Sequence, residues 1–162
     1  MTPHSLRAGL TVAVALAVAG CGPRSVTPHQ APTDDPSEAV SALVEGYLQA
    51  IAARDTAEIR RSYVNDDRFV WIEDGQVRYR NVDQVIAGFA SIPAASPIRT
   101  ELTDLTIVWL GSSGAHAWAT FKTSIGTGPR AFSFGGAISI LAEHVDGTWK
   151  IVGGHTSSPR QP

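Results

Sequence analysis

Three clusters of turn-forming residues divide the second half of this chain into four segments, and their spacing restricts the fold more than any other feature. Gly111-Ser112-Ser113-Gly114, Gly126-Thr127-Gly128-Pro129 and Asp146-Gly147 supply the residues that tight reversals need. The runs between them are long and rich in β-formers, so three hairpins in series predict an antiparallel meander of four strands. With the register set by those turns, alternation places Val108, Leu110, Ala117, Ala119, Phe121, Phe132, Phe134, Gly136, Ile138, Ile140, Trp149, Ile151 and His155 on one face. Leu105, Ile107, Trp109, His116, Trp118, Lys122, Ser133, Ser139, Lys150 and Val152 then share the other.

Upstream, the pattern changes from period two to period 3.6. Asp35 stands where a cap is wanted, Pro36 fits a first helical position and Glu38 suits a capping box. From there Val40, Leu43, Val44, Tyr47, Leu48 and Ile51 trace one apolar helical face. Asp55, followed three residues on by Glu58, opens a second helix running to about Tyr63. A short strand is expected from Arg68 to Glu73, closed by an Asp74-Gly75 turn, and a third helix over Val82 to Ala90 with Asn81 as its cap. The fold class is therefore α+β, with helices first and an antiparallel sheet after them.

The first residues read as an address rather than as structure. Arg7 and the apolar stretch Ala8 to Gly20 make a signal peptide over residues 1–20, too short for a membrane span. Val18-Ala19-Gly20-Cys21 resembles the lipobox of bacterial lipoproteins, and the chain's one cysteine occupies its modified position. The resemblance implies a lipid on Cys21, attachment to a membrane surface, and an exported location on the periplasmic or cell-surface side. Residues 21–34 carry Pro23, Pro28 and Pro32 among small polar residues and read as a tether. Residues 35–160 remain for one domain. The net charge of −2 offers no basic footprint, which argues against a nucleic-acid partner.

Three helices, a short strand between the second and third, and a meander ending in Trp149-Lys150-Ile151-Val152 and His155-Thr156-Ser157 together resemble the SnoaL-like branch of the nuclear transport factor 2-like superfamily. That resemblance implies a cone-shaped fold, with three N-terminal helices packed on a curved antiparallel sheet. Its isomerase-like members place a tyrosine on the first helix, an acid on the strand after the second helix and a protonated acid on the sheet. Here Tyr47 takes the first position, whereas the other two fall near Ile72, with Glu73 and Asp74 just beyond in the turn, and near Gly136. Two of three groups are missing, which argues against isomerase chemistry.

The alanines and glycines of the first sheet face leave room beneath the helices, and a pocket is expected there. Its candidate lining is Tyr47, Tyr63, Trp71, Phe89, Phe121, Phe134 and His155. The second face carries Leu105, Ile107, Trp109 and Trp118, more apolar than an outer face requires, and is the candidate homodimer surface. His155 is the best candidate for a base or polar anchor, against a purely structural role bonded to Thr156 or Ser157. Asp66 and Asp67 read as a solvated turn rather than a paired-carboxylate site. His116, His144 and His155 lack metal-ligand spacing, so no metal or other cofactor is expected. Two functions follow from these residues: a non-catalytic module that binds a small apolar ligand or assembles with a partner, or a small hydrolase, isomerase or dehydratase using His155 with Tyr47 or Tyr63.

Overall fold

The computed structural model describes residues 36–159. Cys21, the 21–34 segment, the Asp35 cap and Arg160 lie outside the described residues. The elements are α1 (Pro36–Ala53), α2 (Thr56–Ser62), β1 (Val70–Glu73), β2 (Gln76–Tyr79), α3 (Val82–Ala90), β3 (Ile98–Leu110), β4 (Gly114–Ile125), β5 (Phe132–Val145) and β6 (Thr148–Ser157). The apolar periodicity of α1 becomes a buried face of Val40, Val44, Tyr47 and Ile51. Asp55 caps α2 by accepting from the Glu58 amide at 2.9 Å, and Asn81 caps α3 by accepting from Gln84 at 3.0 Å.

Arg54 ends α1 at φ 57°, a left-handed position usually left to glycine. Two reverse-turn bonds form there: the Asp55 amide donates to Ala50 at 2.9 Å and the Arg54 amide to Ile51 at 3.1 Å. The Arg54 guanidinium spans to the loop after α3, donating to the carbonyls of Ile92 at 3.1 Å and of Pro93 and Ser96 at 2.8 Å each. These contacts fix where the chain enters β3.

The four-strand meander forms as its turns require. Asp74-Gly75 and Asp146-Gly147 each have φ near 49° at the aspartate and about 80° at the glycine, the twist-matched geometry of two-residue hairpins. Asp74-Gly75 joins β1 to β2, an edge strand whose residues Gln76 to Tyr79 carry no clear local signal. The six strands lie in the order β2-β1-β6-β5-β4-β3. Because β1 runs parallel to β6, with Val70 opposite Gly153 and Ile72 opposite His155, the sheet is mixed rather than purely antiparallel.

Three register features sort the side chains differently from simple alternation. The β3–β4 turn pairs Leu110 with Gly114 and Ile107 with Ala117, a one-residue offset from the expected register. A bulge between Thr103 and Thr106, with Asp104 at φ 57°, shifts the phase of β3 again. A second irregularity pairs Leu141 with Gly153 but Ala142 with Ile151, so β6 carries one extra residue. Each inserted residue flips everything beyond it to the opposite face.

The consequences are specific. Leu105 and Ile107 pack against the helix-side core, and Trp109 meets the ring of Trp149 at 5.6 Å, instead of facing outward. Val108 and Leu110 are exposed, instead of lying beneath the helices. His155 pairs with Ser139 and leaves the face of Ile138, Ile140 and Gly154.

Gly154 makes the β1 docking possible. A Cβ there would stand 2.5 Å from both the Trp71 ring and the Ser139 carbonyl oxygen. Gly154→Ala therefore has to displace Trp71 from the core, and we expect a loss of about 1–3 kcal/mol, read as a lowered urea midpoint. An unchanged midpoint would show that the close approach is not needed.

Candidate functional site

The sheet presents two chemically distinct faces. On the helix side, Tyr63 donates its hydroxyl hydrogen to the Tyr47 oxygen at 2.6 Å. Their rings meet edge to face at 5.3 Å, and Tyr63 meets Phe69 in the same way at 4.9 Å. Tyr47, Tyr63, Phe69, Trp71 and Phe121 are all buried, so these rings occupy the space between the helices and the sheet. Burial pushes both tyrosine hydroxyls well above the ordinary phenol range. They are neutral groups that satisfy each other. Of the remaining candidates, Phe89 is half-buried on α3, while Phe134 is on the helix side but exposed.

Glu73 is a titratable group on the helix side that its place beside the Asp74-Gly75 turn does not suggest. It is the last residue of β1, two positions from Trp71 and opposite Thr156, so it projects to the helix side rather than sitting in the turn. Partial burial raises its carboxyl above the ordinary range, with Arg78 drawing it down and Asp74 adding to the rise. The Arg78 Nε lies 3.4 Å from it. The period-two spacing from Trp71 is the signal that would have found it.

On the outer face, one registered row crosses most of the sheet: Ile72, His155, Ser139, Trp118 and Thr106 stand on successive neighbouring strands. His155, Ser139, Trp118 and Thr106 line a trough of about 390 Å³ with Asp104 and Ser157 at its sides. The His116 ring lies against Trp118 at 5.1 Å. Of the four residues taken for a dimer face, only Trp118 is on this side. His155 and the two tyrosines, expected in one pocket, are on opposite faces and do not meet.

The other candidates resolve locally. Arg68 binds Asp66 at 2.8 Å and Glu143 at 2.6 Å, holding the Asp66 carboxyl below its usual range. This joins the loop after α2 to β5 in an exposed ion-pair chain. His144 rests on Trp149 at 5.4 Å. Among the described residues, no group of three or more His, Cys, Asp or Glu side chains is placed to hold a metal ion.

A family model described as a SnoaL-like domain matches residues 40–161. No curated protein matches by sequence. Among solved structures, the chain is similar to a nuclear transport factor 2-like protein of unknown function from Shewanella oneidensis, with TM-score 0.63 and 18% identity over 75% of this chain and 98% of that one. A candidate dehydratase of the same fold family from Streptomyces avermitilis gives TM-score 0.67 and 17% identity, covering 77% and 97%. A nuclear transport factor 2-like superfamily protein from Salmonella enterica gives TM-score 0.65 and 16% identity, covering 76% and 91%. Identities this low speak to the fold alone.

Two outcomes test the helix side. Tyr63→Phe strands the Tyr47 hydroxyl in the core and should cost about 1–3 kcal/mol, whereas the double change to phenylalanine should cost less than the sum of the single ones. For Glu73, a carboxyl raised by burial favours the fold in its protonated form, and that contribution is lost as pH rises through its folded value. The stability advantage of Glu73→Gln over wild type should therefore grow from about pH 4 to neutrality, read as the difference in thermal midpoints. A constant difference would place Glu73 in solvent.

Proposed function

The chain belongs to the SnoaL-like domain family, and we propose that it is a lipid-anchored cell-envelope protein whose domain works as a non-catalytic binding and assembly module through its outer sheet face. The observation that carries this reading is the separation of His155 from Tyr47 and Tyr63 on opposite sides of one sheet. General acid–base catalysis requires its groups within hydrogen-bond reach of one substrate, and the tyrosine pair is buried and engaged with itself. The outer trough, by contrast, is open and combines the Trp118 indole with the imidazole of His155 and hydroxyl groups, a mixture suited to holding an amphipathic small molecule. Exposed Val108, Leu110 and Leu141 give that face an apolar border that suits a second copy of the chain.

A second reading keeps one observation in its favour. Glu73 is partly desolvated on the helix side, and a hydrolase, isomerase or dehydratase built on this chain would have to use it in place of His155.

Native mass spectrometry tests the main proposal. We expect a co-purifying small molecule or a dimer mass that Trp118→Ala or Leu141→Lys removes; a bare, concentration-independent monomer would overturn it. The anchor is tested separately by incorporation of a clickable fatty acid, expected in wild type and lost in Cys21→Ser.

A further inference from the structure

Along one side of the sheet, a row of aromatic rings passes from the core into solvent. Phe121 is 8% exposed, Phe134 43% and Phe132 56%. Phe134 meets Phe121 edge to face at 6.0 Å and stacks on Phe132 at 6.2 Å. Phe132 and Phe134 are helix-side residues, opposite Ile125 and Thr123, yet the helical layer does not cover them. Every residue from Thr127 to Phe134 is exposed, so the β4–β5 hairpin tip is open to solvent.

Charge is sparse around these rings: on the neighbouring β3, Arg99 pairs with Glu101 at 3.0 Å, and Glu101 stands opposite Lys122. From Leu105 to Ala142 the sequence contains no aspartate or glutamate, and its only lysine or arginine residues are Lys122 and Arg130. Arg130 is in the short turn Gly128–Arg130 at the tip, and Lys122 shares a shallow hollow with Phe134. In a chain of net charge −2, this hairpin is locally cationic and aromatic. Two stacked phenylalanines with Arg130 in the turn beside them match the boundary between lipid headgroups and acyl chains, where rings insert and a cation meets anionic phosphate.

We propose that the β4–β5 hairpin tip docks on an anionic lipid surface through Phe132, Phe134 and Arg130. The idea draws on the anchor reading for proximity, since the chain from Cys21 to Pro36 reaches at most about 50 Å when fully extended. A patch held that close contacts the bilayer at high effective concentration even where its own affinity is weak.

The test uses the full chain carrying Cys21→Ser, which removes the acylation site and the only native thiol, so its result does not depend on lipidation. An environment-sensitive dye is attached through Thr127→Cys at the tip or, as a control, through Ser112→Cys in the β3–β4 turn at the other end of the sheet. Vesicles of phosphatidylcholine and phosphatidylglycerol should shift the tip label's emission to the blue and leave the control label unmoved. The shift should disappear in Phe132→Ser/Phe134→Ser, weaken in Arg130→Glu and fall with added salt. Unchanged near-ultraviolet circular dichroism would show that the variants fold. No shift at the tip, an equal shift at both labels, or a shift that survives loss of both phenylalanines would overturn the proposal. So would a tip shift that follows protein concentration without vesicles, which would assign the hairpin to a second copy of the chain.

Discussion

The arrangement of this domain depends on one close approach, the parallel docking of β1 along β6. Two consecutive glycines make it possible: side chains at Gly153 and Gly154 would run into the Val70 carbonyl and the Trp71 ring respectively. With both side chains absent, Trp71 lies down on the sheet and closes the core beneath α1 and α2. The isolated bridge from Tyr63 to Ile151 extends the same contact toward the helices. It brings Tyr63 to Tyr47, and two phenols that would each be costly to bury alone become a satisfied pair. The position of Glu73 follows as well, since the strand that delivers Trp71 to the core delivers Glu73 two residues later to its edge.

The same docking sets which chemistry is available on each face. Parallel pairing and the bulge in β6 put Gly154 and Thr156 on the helix side and His155 on the other. A pleated strand cannot present successive residues to one cavity, so His155 and Thr156 serve different surfaces however the loops around them move. The helix side retains neutral phenols and one partly desolvated carboxyl, whereas the imidazole, an indole and several hydroxyls gather outside. Within one chain, this division leaves a ring-filled, largely apolar helix side and an open, mixed polar and aromatic outer side.

Much of the architecture was legible in the sequence because it is written in local terms. Asp55 and Asn81 act as caps through bonds that span only a few residues, and Asp74-Gly75 and Asp146-Gly147 form their turns from their own backbone preferences. The face assignments failed for the opposite reason. Alternation counts residues correctly only while pairing is unbroken, and the bulges at Asp104 and in β6 each add a residue that no local pattern announces. Simple alternation therefore sends Leu105, Ile107 and Trp109 outward and His155 inward, the reverse of where they lie. β2 escaped notice because Gln76, Val77, Arg78 and Tyr79 form an edge strand whose one clear apolar contact is Tyr79 against the core, and such strands carry weak periodicity. The parallel pairing was likewise unreadable, since the partners Ile72 and His155 are joined by nothing local.

The exposed aromatic row gains meaning from these same constraints. A sheet curved around three helices can be covered only as far as the helices reach, and here Tyr47, Tyr63 and Trp71 fill one level while Phe121 marks the last covered ring. Beyond it, β4 and β5 continue for several residues with Thr123, Ile125, Phe132 and Phe134 still alternating in register. Solubility alone would favour polar residues at those positions, or a shorter hairpin. The strands instead run on and carry two stacked rings into solvent, with Arg130 in the turn beyond them. The end of β4 has a partner inside the domain, since Ile125 pairs with the buried Ile98, whereas Phe132 and Phe134 on β5 keep the same face and stay exposed, which makes them the part of the hairpin that a surface outside the domain can reach.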